Sequence, residues 1–255
     1  GPAYYNEHDA FAAAYLRELI GGGHIAPGIV DQRSIADVEA ADLRGFSQCH
    51  FFAGIGGWSL ALRLAGWPDN RPVWTGSCPC QPHSAAAADR RRGFDDARDL
   101  FPTWFDLIKE CEPDCVFGEQ VDDTAAWIDR TIACLESANF AVGSLDIPAC
   151  AGDAAHERMR NFFVAYADRA GRGEQGRTFA VGPKFFPAEC AGSGARASHH
   201  VTAGELGILR RTEPGIRLLA DGFPARVGIL RGFGNAIDPR PAAAFIQAAM
   251  EAVAA

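Results

Sequence analysis

Short apolar segments alternate with amphipathic stretches along most of the chain, and this alternation restricts the fold more than any other feature. Segments with the length of strands, most of them apolar, lie at residues 48–52, 73–75, 115–118, 141–147 and 161–166. Stretches with helical periodicity lie at residues 9–20, 58–66, 99–110, 123–138 and 241–254. Strands and helices that alternate in this way build a mainly parallel sheet with helices on both faces. The sequence therefore predicts an α/β fold.

The pattern divides the chain into four predicted segments. Residues 1–47 contain one clear helix, ended by a run of three glycines, and are predicted to be an N-terminal helical extension. Residues 48–166 hold the alternating pattern and form the main α/β domain. Residues 167–211 are rich in Gly, Ala and Ser without a period, which indicates a small irregular lobe. Residues 212–255 end in an Ala-rich helix and are expected to return to the main domain.

Charge and composition exclude some classes of protein. A net charge of −8 and a pI of about 5.4 are unlike a protein that coats nucleic acid non-specifically. Residues 167–217 nevertheless carry eight Lys/Arg against five Asp/Glu, which fits either a segment that faces a polyanion or a solvated loop region. Eight cysteines without a secretory leader are typical of reduced thiols, and no apolar run is long enough to span a membrane. We therefore expect a cytoplasmic protein with no membrane partner.

A glycine-rich turn follows the apolar run at residues 48–52. Its sequence, Phe52-Ala53-Gly54-Ile55-Gly56-Gly57, lies between a predicted strand and a predicted helix. Glycines at such a place let a ligand approach the backbone, and the helix N-terminus favours an anionic group. Turns of this kind are also common as purely structural features, so the turn alone leaves both interpretations open.

A loop with two cysteines and two prolines follows the next predicted strand. Its sequence is Gly76-Ser77-Cys78-Pro79-Cys80-Gln81-Pro82-His83-Ser84. The thiols could be incidental to a tight turn, one of them could be a nucleophile held at a strand end, or they could bind zinc with Cys111 and Cys115. The single residue between the two loop cysteines is a tighter spacing than zinc sites usually have, and we predict no metal.

Two further motifs place charged side chains near strand ends. Gly118-Glu119-Gln120-Val121 puts a carboxyl group at the carboxyl end of a strand, where α/β proteins bind ligands and where it can serve as a general acid. In His156-Glu157-Arg158-Met159-Arg160, strand alternation would place the histidine and both arginines on one face, where they need anions or carbonyl groups. A helix cap for the glutamate and a solvated strand edge for the arginines are the structural alternatives.

The order of these motifs is more informative than any one of them. A Gly-Asn turn, Gly232-Phe233-Gly234-Asn235-Ala236-Ile237-Asp238-Pro239, completes the series. The series FAGIGG, PCQPHS, GEQV, HERMR and GFGNAIDP resembles the DNA (cytosine-5) methyltransferase family, and especially its phage- and prophage-encoded members. The resemblance runs from about residue 48 to residue 254. It implies a Rossmann-like class I methyltransferase fold in which residues 167–211 are a short target-recognition region.

The resemblance implies roles in base chemistry for four residues. Cys80 matches the cysteine that attacks C6 of a flipped-out cytosine in DNA, which makes C5 nucleophilic toward a one-carbon unit. Glu119 matches the glutamate that holds N3 and the exocyclic amine, and Arg158 and Arg160 match the arginines that hold O2 and the catalytic loop. Further substrate contacts are expected from Gln81, Ser84, Arg92, Gln120 and His156.

The same resemblance implies a site for S-adenosylmethionine at the glycine turn. Contacts to this cofactor are expected from Phe52, Gly54, Gly56, Gly57, Trp58, Pro79 and Asn235. The expected partner is DNA that presents a flipped cytosine, and the protein is expected to act as a monomer.

The sequence departs from the family in several places. Gln120 replaces an asparagine, His156 replaces a glutamine, and His50 lies where an acidic residue often precedes the turn. The largest departure is the short interval between Gly57 and Pro79, where family members fit two more strand–helix elements with acidic residues for the ribose and adenine. Asp69 is the only acidic residue in that interval. The sequence therefore predicts an intact base-handling half and a shortened cofactor half.

Three hypotheses about activity follow. The chain methylates cytosine at C5 with S-adenosylmethionine, or its C6 adduct reacts instead with 5,10-methylenetetrahydrofolate or formaldehyde to give 5-hydroxymethylcytosine. In the third hypothesis the chain is an inactive DNA-binding relative, against which the intact Cys80, Glu119 and Arg160 argue. The short interval after Gly57 is the reason to consider a donor other than S-adenosylmethionine.

Overall fold

A computed structural model describes residues 1–79, 99–121, 125–148, 159–167, 201–203, 209–211 and 237–254. In this part of the chain, seven strands form one sheet and two short strands form a second. The strands are β1 (Ala3–Asn6), β2 (Gly28–Asp31), β3 (Gln48–Phe51), β4 (Val73–Gly76), β5 (Cys115–Val121), β6 (Phe140–Pro148), β7 (Met159–Ala167), β8 (Val201–Ala203) and β9 (Leu209–Arg211). The α-helices are α1 (Ala10–Gly21), α2 (Gly57–Leu64), α3 (Phe101–Cys111), α4 (Ala125–Ser137) and α5 (Pro239–Ala254).

The seven strands of the main sheet lie in the order β2-β1-β3-β4-β5-β7-β6. The first five strands in this order run parallel to one another. Strand β7 lies between β5 and β6 and is antiparallel to both. The prediction of an α/β fold with a mainly parallel sheet is confirmed.

Each face of the sheet is covered by helices and has its own apolar core. The core under α3 and α4 is built chiefly from Phe51, Trp74, Trp104, Trp127 and Phe163. The core under α2 and α5 is built chiefly from Trp58, Phe117, Phe162, Phe245 and Ile246. A smaller cluster, in which Leu16 of α1 packs on Tyr5 of β1, extends the second core toward the β2 edge. The helices on both faces leave the strand ends as the place where polar groups can gather.

The N-terminal segment belongs to the main sheet, which corrects the prediction that residues 1–47 form a helical extension outside it. Strand β1 pairs in parallel with β3, with Ala3 opposite Gln48 and Asn6 opposite Phe51. Strand β2 then pairs with the other side of β1. All four residues of β1 are buried, so the strand shows none of the polar alternation that identifies a half-buried strand in a sequence. The predicted helix at residues 9–20 is present as α1.

The C-terminal helix α5 packs on α2 and on the main sheet. Of the predicted irregular lobe at residues 167–211, the structure describes Ala167, at the end of β7, and the antiparallel pair β8 and β9. The four predicted segment boundaries otherwise remain a proposal. Among the helices described, none is long and apolar enough to cross a membrane.

The close contact between β5 and β7 gives a first testable prediction. A Cβ atom added at Gly118 would overlap the ring of Phe163, its partner across the two strands. Because overpacking of a filled core costs about 1–3 kcal/mol, we expect Gly118→Ala to lower the free energy of unfolding by that amount in urea titrations. The control is Gly21→Ala at the end of α1, where an added Cβ meets nothing within 4 Å. Equal stability of the two variants would contradict the packing described here.

Candidate active site

The glycine-rich turn leaves β3 with an unusual backbone. Phe52, Gly54 and Gly56 have φ values of 52°, 56° and 83°, in the left-handed region. That conformation costs a non-glycine residue such as Phe52 about 1 kcal/mol, and such strain is concentrated at functional sites. A Cβ added at Gly54 would meet nothing within 4 Å, so the turn borders open space at the carboxyl edge of the sheet. The turn can therefore accept a ligand close to its backbone.

Gly57 and Trp58 follow this turn and pack against other parts of the protein. A Cβ at Gly57 would overlap Ile237, so close packing of the C-terminal segment requires glycine here. Trp58 is buried among Phe117 and Phe162, and its Nε1 donates a hydrogen bond to Ser77 Oγ at 3.0 Å. The contacts of both residues are thus with the protein itself. They join the glycine turn to the start of the loop that follows β4.

The loop after β4 is described as far as Pro79, which is half-buried. Burial, reinforced by the negative charge of Asp99, raises the pKa of the Cys78 thiol well above its usual range. Cys78 is therefore a protonated core residue and a poor nucleophile. Its carbonyl oxygen accepts a hydrogen bond of 3.4 Å from Nε2 of Gln120, which ties the loop to the end of β5. Seven predicted site residues lie outside the described residues: Cys80, Gln81, Ser84, Arg92, His156, Arg158 and Asn235.

The structure brings Glu119 and Arg160, which come from two separate motifs, into contact. Val121 lies opposite Arg160 and Glu119 lies opposite Phe162 on the antiparallel strands β5 and β7, so the two charged side chains share one face. Arg160 Nε lies 2.6 Å from Glu119 Oε1, and the side chains are 20% and 7% exposed. The result is a largely buried ion pair at the carboxyl edge of β5.

A second ion pair fixes the start of α3, where the chain re-enters the described structure. Arg130 of α4 donates from its two terminal nitrogens to Asp99, at 2.7 and 3.1 Å. The Asp99 side chain is only 4% exposed. The charge of Asp99 also contributes, after burial, to the raised pKa of the Cys78 thiol.

Glu7 is a residue at this edge of the sheet that sequence analysis missed. It directly follows β1, and its Oε2 accepts a hydrogen bond of 2.7 Å from the backbone N–H of Gly54 in the glycine turn. Its Oε1 accepts another of 2.8 Å from Asp9 N–H. Burial raises the pKa of this carboxyl group above its usual value. The sequence signal is an acidic residue directly after a short buried run, but that signal is informative only once β1 is known to be a strand beside β3.

The acidic residue at the end of β2 has a structural role. Asp31 accepts hydrogen bonds from the Tyr4 hydroxyl at 2.7 Å and from the Arg33 guanidinium at 2.7 Å. Its pKa is lowered to about 2; burial opposes this, but the hydrogen bonds from Arg33 and Tyr4 outweigh it. Both carboxylate oxygens are engaged with neighbouring side chains, so Asp31 holds the turn after β2 in place.

His50, which occupies a position where the family often has an acidic residue, is a core residue. Its ring hydrogen-bonds Thr75 Oγ1 at 2.8 Å and Gln48 Oε1 at 3.2 Å, and it stacks on Tyr5 at 4.8 Å between centroids. Burial lowers its pKa to about 3, so the ring is neutral near pH 7. His50 therefore makes no charged contact at the site. Within the described ranges, no three His, Cys, Asp or Glu residues cluster as metal ligands would.

Comparison with protein families gives one match. Residues 68–182 match the family model described as C-5 cytosine-specific DNA methylase. The matched range covers a little under half of the chain and includes Cys80, Glu119, Arg158 and Arg160. It begins after the glycine turn and after β1 and β2. No curated protein matches the sequence.

Solved structures of methyltransferases resemble the chain at low identity. A mutant of Spodoptera frugiperda DNMT2 is 13% identical, with a TM-score of 0.44, over 68% of this chain and 45% of that one. A putative DNA modification methyltransferase encoded within an E. coli prophage is 17% identical, with a TM-score of 0.42, over 65% and 40%. Entamoeba histolytica methyltransferase EhMeth is 13% identical, with a TM-score of 0.44, over 64% and 44%. The chain thus spans less than half the length of these proteins.

The arrangement of the main sheet defines the class of fold. Six strands of one direction and the reversed strand β7, with helices on both faces and a glycine turn after the central strand β3, form a Rossmann-like α/β fold.

Proposed function

We propose that the chain methylates cytosine at C5 in DNA, with Cys80 as the covalent nucleophile and S-adenosylmethionine as the methyl donor. The observation that carries this proposal is the buried Glu119–Arg160 pair beside the loop that leads to Cys80. Cys80 lies two residues after Cys78, a distance of at most about 7 Å along the chain. Cys78 in turn is hydrogen-bonded to Gln120. Glu119, Arg160 and Cys78 come from separate motifs and lie at one strand edge, where α/β proteins bind ligands.

The ion pair suits the recognition of cytosine. A carboxyl group and a guanidinium on one face can hold both sides of a flipped base, with Glu119 at N3 and the exocyclic amine and Arg160 at O2. The burial of both groups strengthens these contacts, because water competes less for them. Cytosine must leave the duplex to reach the site, since Cys80 cannot approach C6 within the base stack.

Cys80 and Glu119 act at different positions of the cytosine ring. The Cys80 thiolate forms a bond to C6 while the C5–C6 π electrons move toward C5. Glu119, protonated when the base is bound, donates its proton to N3, which limits the charge that builds up in the ring, and takes the proton back when the C5–C6 double bond is restored. C5 takes the methyl group that bound S-adenosylmethionine supplies. A water molecule or hydroxide ion from solvent takes the C5 proton, which restores the C5–C6 double bond and expels Cys80 as a thiolate, so the nucleophile is regenerated.

The glycine turn fits an extended nucleoside cofactor. Gly54 borders open space, and the left-handed backbone at Phe52, Gly54 and Gly56 brings the main chain to the strand edge beside β4. The argument for a folate donor depended on strand–helix elements missing between Gly57 and Pro79. Strands β1 and β2 occupy the sheet positions beyond β3, so this argument no longer favours folate.

Contact with the duplex is assigned to the segment 167–217, where positive charge is in excess. The antiparallel pair β8 and β9 lies within it. Such contacts make DNA binding weaken as salt rises.

The test is the identity of the modified nucleoside. Purified protein is incubated with unmodified DNA and S-adenosylmethionine, and the DNA is digested and analysed by mass spectrometry. We expect 5-methyldeoxycytidine that depends on the cofactor. If 5-hydroxymethyldeoxycytidine forms only when methylenetetrahydrofolate is supplied, the one-carbon donor is the folate and not S-adenosylmethionine. If the protein binds DNA but gives no product with either donor, it is an inactive relative.

A further inference from the structure

The chain order of this sheet differs from that of the usual dinucleotide-binding fold. In the usual order, the first strand leads into the glycine turn, and strands two and three then lie beyond it in the sheet. Here the strand that leads into the turn is β3, and the two positions beyond it are filled by β1 and β2. The sheet positions are therefore complete, although the strands that fill them come from before the turn.

The handedness of the connections between strands also reflects this different chain order. The crossover from β1 through α1 to β2 and the crossover from β3 through α2 to β4 run in opposite directions along the sheet. Both helices nevertheless lie on the same face: Leu16 of α1 packs on Tyr5, and the Tyr5 hydroxyl is 3.0 Å from Ser59 Oγ of α2. Two such crossovers have opposite hands, whereas about 98% of crossovers between parallel strands are right-handed. A change of chain order that keeps the positions of the strands in the sheet would produce one crossover of the unusual, left-handed kind.

The rearrangement places a carboxylate at the point where this sheet changes direction. From β1 the chain moves outward to β2, then returns to the other side of β1 as β3 and continues to β4, so the switch point lies between β1 and β3. Ligands of open α/β sheets bind outside the carboxyl ends of the strands at such a point. Glu7 follows the carboxyl end of β1, and the turn at Gly54 follows that of β3, with 2.7 Å between Glu7 Oε2 and Gly54 N.

The carboxylate of Glu7 is held in place and still has free acceptor capacity. An ionised carboxylate offers about four lone-pair sites. One is used by Gly54 N–H and one by Asp9 N–H, and these two bonds involve different oxygens. One further site on each oxygen can accept a hydroxyl donor. A carboxylate fixed by two backbone amides in this way matches a pair of adjacent hydroxyl groups.

We propose that the N-terminal unit β1–α1–β2 supplies the sugar-binding half of the cofactor site, with Glu7 accepting hydrogen bonds from the 2′- and 3′-hydroxyls of a ribonucleoside. The proposal deepens the proposed function and rests on it for the choice of S-adenosylmethionine. It extends the site to residues that lie far outside the matched range 68–182.

The test measures binding rather than turnover, with the full chain and S-adenosylhomocysteine as the probe. Calorimetric affinities are compared for this compound and its 2′-deoxy analogue, in the unaltered protein and in Glu7→Gln. The matched control is Glu18→Gln, an exposed glutamate on α1. We expect the unaltered protein and the control to prefer the ribose form about tenfold or more, as loss of a hydrogen bond to a charged group requires. Glu7→Gln should bind the ribose form about tenfold more weakly and lose most of this preference.

The outcomes separate this inference from the proposed function. An unchanged ribose preference in Glu7→Gln overturns the inference, even if the protein methylates DNA. Loss of the preference with no methylated product supports the inference and rejects the proposed reaction. If Glu7→Gln unfolds, as thermal melting would show, the unaltered protein still decides the matter, because equal affinity for the ribose and 2′-deoxy compounds overturns the proposal without any variant.

Discussion

Replacing Cys80 with alanine is expected to abolish cytosine modification, with a loss of about 10⁴-fold or more, as is usual when a covalent nucleophile is removed. No other described cysteine near the site can take over. Cys78 lies close in sequence but is buried, and burial holds its pKa well above the usual range, so it does not form a thiolate near neutral pH. The loss should affect the chemical step and leave binding of S-adenosylhomocysteine unchanged.

The direct measurement is covalent trapping on DNA that contains 5-fluorocytosine. Once C5 carries both fluorine and a methyl group, no proton is available for elimination, and Cys80 stays bonded to C6. We expect a denaturant-resistant protein–DNA complex that requires S-adenosylmethionine and is absent in Cys80→Ala. Cys134→Ala is the matched control, because that thiol is half-buried on α4, away from the strand edge. A trapped complex that persists in Cys80→Ala would reject the assigned nucleophile.

The sequence predicts the parts of the fold that depend on local pattern. Residues 115–118 and residues 161–166 are two apolar runs, each long enough to be recognised as a strand. The strands β5 and β7 are found there. The contact between Glu119 and Arg160 follows from the antiparallel register of these two strands, which the motifs do not contain. Motif recognition identified the two residues, and the register explains how they meet.

The N-terminal strands could not be recognised in the same way. Tyr4 and Tyr5 are both buried, on opposite faces of β1, so the four-residue strand has no polar side. Its place beside β3 depends on pairing between residues more than 40 positions apart, which no local pattern encodes. The usual chain order places the acidic residue after the glycine turn. Glu7 lies before the turn, and the sheet brings it back to Gly54.

Side-chain direction sets a further limit on sequence-based prediction. The glycine turn suggests that Trp58 contacts the cofactor, yet its indole lies in the core and donates to Ser77. Phe52 occupies a left-handed backbone position that its residue type disfavours. Local preference is overridden there because the turn must change direction between β3 and α2. Such positions are where a site differs from what propensity predicts.

Removing one charged group of the buried Glu119–Arg160 ion pair gives the second large expected effect. Glu119→Gln removes the carboxyl group that would protonate N3, and general acid catalysis of this kind contributes about 10²–10⁴-fold to a rate. The same change leaves the guanidinium of Arg160, only 20% exposed, without its 2.6 Å partner, which should cost stability because a largely buried charge is no longer paired. Arg160→Met should be destabilising for the converse reason.

The double variant Glu119→Gln/Arg160→Met distinguishes folding from chemistry. With both charges removed, we expect its stability in urea to recover toward that of the unaltered protein, because neither member of the pair is left as a buried charge without the other. Its methylation rate should stay at least about 10²-fold below normal, since neither N3 nor O2 of cytosine then meets a charged partner. Recovery of the rate together with stability would show that the pair is structural, and cytosine recognition would have to be assigned to other residues.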